Sequence, residues 1–194
     1  MNTITGKELK AIAKLTLRKS EPHRSCLSTV WMDSDPSGNA RLWATDGCHL
    51  ISKTFNHKGP DTPRAYSTEH INRLGAREDV FVTQKLEHEC LRDVKEELGL
   101  RDPPDIDMIV PKTRSEAGLA CSIFGVTAKL LIEGMKAFDA LAPKETGEFH
   151  LDEGELGPIV VTNVDNSVKY VLMPCRTGKE VSVSNLTRGI NIAA

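Results

Sequence analysis

One pattern occurs twice in this chain, and it sets what the chain can fold into. Near each end, an amphipathic helical stretch is followed by three short strand-like runs separated by turn-formers. The first helical stretch covers residues 4–19 and contains no proline. Thr5 stands at its start with Glu8 three residues later, the spacing of a capping box. Leu9, Ile12 and Ala13 gather on one side. Lys7, Lys10, Lys14 and Arg18 follow at spacings of 3, 4 and 4. At helical periodicity those four side chains span an arc of roughly 80°. Pro22 ends the stretch, and strand-like runs follow at 26–33, 40–45 and 49–55. The second and third of these are joined at Asp46-Gly47, a strong hairpin signal.

The second occurrence begins with residues 126–141, where Leu131, Ile132, Met135 and Phe138 are expected to share one face. Pro143 and Gly147 close it, and runs at 148–152, 158–162 and 167–173 follow. Pro158 lacks a backbone N–H, so it opens its strand or lies at an edge. The pattern predicts an α+β fold, with each amphipathic helix packed on an antiparallel meander. Two such units can pair their sheets edge to edge or pack their helices together. The expected organisation is one unit over 1–56, an intervening segment over 57–125, a second unit over 126–176 and a tail over 177–194. Within the intervening segment the residues predict a short helix at 66–74, capped by Ser67 or Thr68, and a strand at 80–83. They also predict a helix at 86–98 stopped by Gly99, and strands at 106–110 and 119–124.

Charge and composition narrow the function classes. Lys and Arg total 25 against 27 Asp and Glu, a net charge of -2. That excludes a uniformly basic nucleic-acid coat but permits a basic face. Aromatics are 5%, thin for a protein that stacks on many single-stranded bases. No apolar run reaches the ~18 residues of a membrane span, and the N-terminus has no apolar signal core, so a cytoplasmic protein is expected. The five cysteines (Cys26, Cys48, Cys90, Cys121, Cys175) read as buried reduced thiols. His49 beside Cys48 and His88 near Cys90 lack the close paired spacing of a structural zinc site.

Three stretches carry a family resemblance. Residues 43–55 read WATDGCHLISKTF, residues 170–176 read YVLMPCR, and residues 105–112 read DIDMIVPK. Together they resemble the bacterial DNA polymerase III beta subunit, the sliding clamp, and occur in that family's order; the chain would be a short or divergent member. Ala44, Thr45, Asp46, Gly47 and Leu50 match the clamp's TDG turn, with Cys48 and His49 where the family usually has His and Arg. Residues 170–176 match its closing strand, and residues 105–112 match its inter-domain stretch. The resemblance implies a non-catalytic processivity or scaffold protein without a cofactor. It implies a homo-oligomer that passes DNA over Lys7, Lys10, Lys14 and Arg18. It also implies a hydrophobic groove for replication-protein peptides, lined by Thr45, His49, Leu50, Val171, Met173 and Pro174. A clamp-like decoy that binds such peptides without DNA is a variant of this reading. The departures are length and the tail: a clamp chain of this family repeats its domain more times and stops soon after the closing motif.

A second resemblance competes. Residues 92–100, RDVKEELGL, resemble the second half of the Nudix box. That implies a magnesium-dependent nucleoside-diphosphate hydrolase in which Glu96 and Glu97 hold the metal and Arg92 orients them. The first half of the box is missing its anchors, since Gln84 and Glu78 stand where Glu and Gly are expected. The plain alternative is a solvated amphipathic helix burying Leu91, Val94 and Leu98. No G-x-S-x-G, P-loop or HExxH pattern occurs.

Overall fold

The computed structural model describes residues 3–17, 26–108, 128–151 and 158–173. Arg18, Pro22, Pro174, Cys121 and Cys175, the strand expected at 119–124 and the tail at 177–194 lie outside the described residues.

The chain opens with a short strand, β1 (Thr3–Thr5), that runs directly into helix α1 (Gly6–Ala13). The capping box forms as its spacing predicts. The Thr5 hydroxyl accepts from the Glu8 N–H at 3.3 Å, and the Glu8 carboxylate accepts from the Thr5 N–H at 2.8 Å. The helix stops at Ala13 rather than running to 19. The Thr16 hydroxyl donates to the Ala13 carbonyl at 2.7 Å, and the Leu17 N–H turns away to the Leu27 carbonyl. A short polar side chain has thus taken over the last helical acceptor.

Three strands follow: β2 (Thr29–Ser34), β3 (Asn39–Thr45) and β4 (His49–Lys58). Next come β5 (Arg64–Ser67), helix α2 (Thr68–Arg73) capped by Ser67, and strands β6 (Asp79–Val82) and β7 (Leu86–Glu87). The last group is helix α3 (Ala128–Leu141) with β8 (Glu148–Leu151), β9 (Ile159–Thr162) and β10 (Val168–Leu172). Both helix-meander units form, and Pro158 stands just before its strand.

The two units join in both of the ways open to them. Their meanders fuse into one antiparallel 7-stranded sheet of order β5-β2-β3-β4-β10-β9-β8. The junction is β4 against β10, with His49 opposite Leu172 and Leu50 opposite Val171. The helices α1 and α3 also pack on each other. A smaller sheet of order β1-β6-β7 completes the fold.

The central strands of the large sheet are buried on both faces over much of their length, so runs such as Ile159–Thr162 read as near-continuous apolar stretches. One face carries Val30, Met32, Leu42, Ile51, Tyr170 and Leu172 and packs against Leu9 and Ile12 of α1 and Phe138 of α3. The other carries Trp31, Trp43, Leu50, Val160 and Val171 beneath Val94, Leu100 and Ile106. At the helix-covered face, Lys53 of β4 donates to the Glu8 carboxylate at 2.7 Å and to the Leu141 carbonyl at 3.3 Å, tying β4 to both helices.

Several expectations are corrected. Ile132 is 53% exposed, and the buried face of α3 is Gly134, Ala137, Phe138 and Leu141. Small residues won because Tyr170 needs the room: a Cβ on Gly134 would lie 2.0 Å from the Tyr170 ring. The helix expected at 86–98 does not form. After β7, Asp93 lies against β5 instead, bridged to Tyr66, and its carboxylate accepts from the N–H of Ala65 at 3.1 Å and of Lys95 at 3.0 Å. The Val94 N–H bonds the Ala65 carbonyl. Only a single turn remains, closed by Gly99 at φ 58 with the Leu100 N–H returning to the Lys95 carbonyl. The glycine stop was real; the helix before it lost to sheet-edge pairing. Leu98, expected to be buried, is exposed. The strand expected from 106 begins as a 3-10 turn, Ile106–Met108. Cys48 and Cys90 are exposed rather than buried, and Cys26 is half-buried. No helix among the described residues is long and apolar enough to cross a membrane.

Candidate functional site

The turn between β3 and β4 is built by its own polar side chains. The Asp46 carboxylate accepts from the Cys48 N–H at 2.8 Å and the His49 N–H at 3.0 Å. The Thr45 hydroxyl donates to the His49 carbonyl at 2.6 Å and accepts from the Gly47 N–H at 3.0 Å. Gly47 sits at φ 91, a conformation open mainly to glycine. Thr45, Asp46 and Gly47 are therefore all needed to make this bend. The end of β10 closes on it: the Met173 N–H donates to the Cys48 carbonyl at 3.0 Å. Two stretches more than a hundred residues apart thus meet in adjacent strands.

Alternation along the strands sorts the six residues implicated by resemblance. Thr45, Leu50 and Val171 are successive partners across β3, β4 and β10 and share one face. Met173, two residues beyond Val171, is 40% exposed at the end of that row. Leu50 and Val171 are buried in the cluster with Ile106. His49 does not join them. It lies on the helix-covered face opposite Leu172, buried, with its ring edge-on to Tyr170 at 6.0 Å and its Nε2 3.4 Å from Asp46. Burial pushes the Tyr170 phenol well above its usual range, and its hydroxyl donates to the Leu130 carbonyl. Pro174 lies outside the described residues.

Residues that the sequence did not single out complete this face. Trp31 and Trp43 stack at 6.2 Å on the row next to Leu50. Arg41, buried, makes a two-toothed pair with Asp33 at 2.9 Å for both bonds and reaches Asp107 at 2.6 Å. The Trp43 indole N–H donates to the same Asp33 carboxylate at 3.1 Å. Burial alone would lower the guanidinium pKa, but its bonds to Asp33 and Asp107 outweigh that and raise it. The link to Asp107 pins the turn bearing Ile106 over Leu50 and Val171. The 105–112 motif was the one signal in the sequence that this segment matters. Beyond Arg41 the face opens into a polar cleft of about 530 Å³ lined in part by Ser52, Thr54, Asp165, Ser167 and Lys169.

The basic stripe is thinner than its spacing implied. Lys7 and Lys14 are exposed, but Lys14 caps α1 rather than extending it. Lys10 is half-buried and bonds the Leu74 carbonyl. On α3, Lys129 and Lys136 are exposed and share the helix with Glu133 and Asp139.

Glu96 and Glu97 are exposed in the turn before Gly99, and Arg92 is paired to Glu97 at 3.0 Å. The helix that a Nudix box uses to aim its glutamates is absent from these described residues. No three His, Cys, Asp or Glu side chains among the described residues converge as a metal site.

No protein-family model matches the chain, and no curated protein matches its sequence. Solved structures do match. The chain aligns with DNA polymerase III subunit beta from Borrelia burgdorferi, solved with a natural product, at a TM-score of 0.60 and 12% identity. The alignment covers 91% of this chain and 64% of that one. The Helicobacter pylori beta clamp bound to a DNA ligase peptide aligns at 0.59 and 14% identity, covering 90% of this chain and 65% of the clamp. A Pseudomonas aeruginosa sliding clamp aligns at 0.53 and 13% identity. The chain therefore spans a little under two thirds of the length of the first two. It has the mixed helix and antiparallel-sheet fold of bacterial sliding clamps.

Proposed function

We propose that this protein is a non-catalytic scaffold of the sliding-clamp type that docks short apolar peptides from replication proteins. The observation that carries this reading is the junction of β4 with β10. It sets the Thr45–Gly47 bend against Met173 and aligns Thr45, Leu50, Val171 and Met173 on one face. Met173 is the exposed entrance to that row. Methionine adapts its shape to varied apolar ligands, and each Å² of apolar surface it buries contributes about 25 cal/mol. Pro174, next in sequence, belongs to the same proposed rim. The Helicobacter pylori clamp of the same fold was solved with a DNA ligase peptide, which makes such a peptide a suitable probe.

The test is fluorescence anisotropy with a labelled copy of a clamp-binding DNA ligase peptide. Met173→Asp places a charge at the entrance and should weaken binding at least tenfold, about 1.4 kcal/mol. Equal affinity in parent and variant would overturn the docking assignment.

The same reading gives the protein a weak, sequence-independent contact with DNA through exposed Lys7 and Lys14, with Arg18 as a further cation in the chain. Phosphate contacts of this kind fall steeply with salt. Lys7→Glu with Lys14→Glu should abolish retention on duplex DNA at low salt. A protein that binds the peptide but not DNA is the decoy form of the proposal, and this pair of measurements separates the two.

A further inference from the structure

Strand β4 changes character along the face that carries Leu50. The next residues on that side are Ser52, Thr54 and Asn56. They line the cleft of about 530 Å³, which is bounded by the turn after β2, the turn before β10, and Ile106 with Asp107. Small polar residues are unusual in the middle of a 7-stranded sheet, where branched apolar side chains pack best. Ser52 is 3% exposed, yet it lines the cleft, and its hydroxyl has no hydrogen-bond partner among the described residues. So enclosed a hydroxyl is unfavourable without a partner, and a ligand in the cleft would supply one. Lys169 of β10 stands directly opposite Ser52, a position that brings the two Cβ atoms within about 4.5–5.5 Å. It is half-buried, lines the same cleft and makes no ion pair among the described residues.

We infer that this cleft binds a small hydroxylated monocarboxylate, a molecule of the sugar-acid class, with its carboxylate held between the Lys169 ammonium and the Ser52 hydroxyl. The volume lies in the range that takes whole small molecules rather than a single ion. Charge limits the ligand to one carboxylate. The lining sets Lys169 and Arg41 against Asp35, Asp107 and Asp165. Arg41 is already paired with Asp33 and Asp107, which leaves Lys169 as the unpaired cation of the lining among the described residues. One negative charge is met by Lys169, whereas the second charge of a phosphate monoester would face the carboxylates. Those carboxylates suit the ligand's hydroxyls instead. One oxygen of Asp35 accepts from the N–H groups of Ser37 and Asn39 at 2.9 and 2.8 Å, and one oxygen of Asp107 accepts from Arg41 at 2.6 Å. The second oxygen of each has no partner among the described residues and is an acceptor for an O–H group. The amides of Asn39 and Asn56 add donors and acceptors to the same lining.

The cleft is distinct from the proposed peptide row. Ile106 packs with Leu50 and Val171 and also lines the cleft, so it bounds the cleft on that side. Neither Thr45 nor Met173 lines it. The inference therefore does not depend on peptide docking. Trp43 is the cross-strand partner of Ser52 on β3, which places an intrinsic fluorophore beside the carboxylate position.

Titration of the full chain with gluconate, followed by isothermal calorimetry and by tryptophan emission, tests the inference. The parent should bind gluconate with a Kd below about 1 mM, and glucose 6-phosphate and glucose should each bind at least about tenfold more weakly. Lys169→Met should weaken gluconate binding at least about tenfold and leave that of glucose unchanged. Ser52→Ala removes only the hydroxyl and should weaken gluconate binding at least about threefold. Far-UV circular dichroism checks that both variants fold, and Lys169→Gln provides a second neutral replacement. No binding by the parent at about 10 mM gluconate, glucose 6-phosphate binding as tightly as gluconate, or parent-like gluconate affinity in the folded Lys169 variants would each overturn it. Met173→Asp should bind gluconate like the parent, so the peptide assignment and the cleft stand or fall separately.

Discussion

Gly134 shows how one atom sets the spacing between a helix and a sheet. Glycine inside a helix costs about 1 kcal/mol relative to alanine, so propensity alone favours replacing it. Here a Cβ would lie 2.0 Å from the ring carbon and 2.4 Å from the hydroxyl of Tyr170. That ring is fully buried and its hydroxyl bonds the Leu130 carbonyl, so it has nowhere to turn. Overpacking of this kind costs about 1–3 kcal/mol, which exceeds the propensity gain. Gly134→Ala should therefore lower the urea midpoint, and an increase would refute the close-approach argument. Glu8 offers a second test at the same scale. Burial would raise its carboxyl pKa, but hydrogen bonds from Lys53 and from Thr5 outweigh this and hold it below the usual carboxylate range. A carboxylate depressed in the folded state contributes stability above its unfolded pKa, about 4.3, and loses that contribution as pH falls through the folded value. Glu8→Gln should flatten the acid limb of a stability-versus-pH curve below about pH 5 while changing its slope near neutrality very little. The partnership of Thr5 with Glu8 was legible because both groups lie within one helical turn. The partnership with Lys53 was not, because 45 residues separate the two.

At the scale of elements, legibility followed the range of the determining contacts. The two meanders could be read because alternation and turn residues are local signals. Strands β1 and β5, three and four residues long, were missed because each is stabilised by pairing with a distant segment. The segment 86–98 is the clearest case. Its Leu91, Val94 and Leu98 spacing suits a helix, yet Asp93 does more as a sheet-edge acceptor than as a helical residue. Asp93→Ala removes acceptors for two backbone N–H groups and a partner of Arg64 at 3.6 Å. It should cost about 1–2 kcal/mol and speed amide exchange of residues 91–100 above that of β2 and β3. If the variant instead gains helical circular dichroism and keeps its exchange protection, the helix was suppressed by Asp93 alone. His49 teaches the complementary lesson. It sits between residues that do line the proposed face, but a strand alternates its side chains, so adjacency in a motif does not mean a shared face.

For the whole molecule, the open question in the sequence was how two similar units meet, and no local pattern encodes the answer. The register Leu50 to Val171 is a contact between distant segments, visible beforehand only through resemblance. What holds the assembled face is the Arg41 network, which joins β2, β3 and the turn bearing Ile106. Both tryptophans of the chain lie in this cluster, so its integrity has an intrinsic optical reporter. Arg41→Met keeps much of the side-chain volume but leaves the Asp33 carboxylate, 13% exposed, without its cation. Breaking one partner of a buried pair costs about 3–5 kcal/mol, far more than the pair itself contributes to stability. The Asp107 tether is lost with it, so Ile106 should lift and water should reach Trp43. The expected result is a red-shifted tryptophan emission together with a lower unfolding midpoint. Asp107→Asn provides the discriminating control, since its amide oxygen still accepts from Arg41 and the Asp33 pair is untouched. It should cost less than about 1.5 kcal/mol and leave the emission unchanged. If Arg41→Met keeps the parent emission while losing stability, the guanidinium only balances charge, and the covering turn is held by Ile106 packing alone.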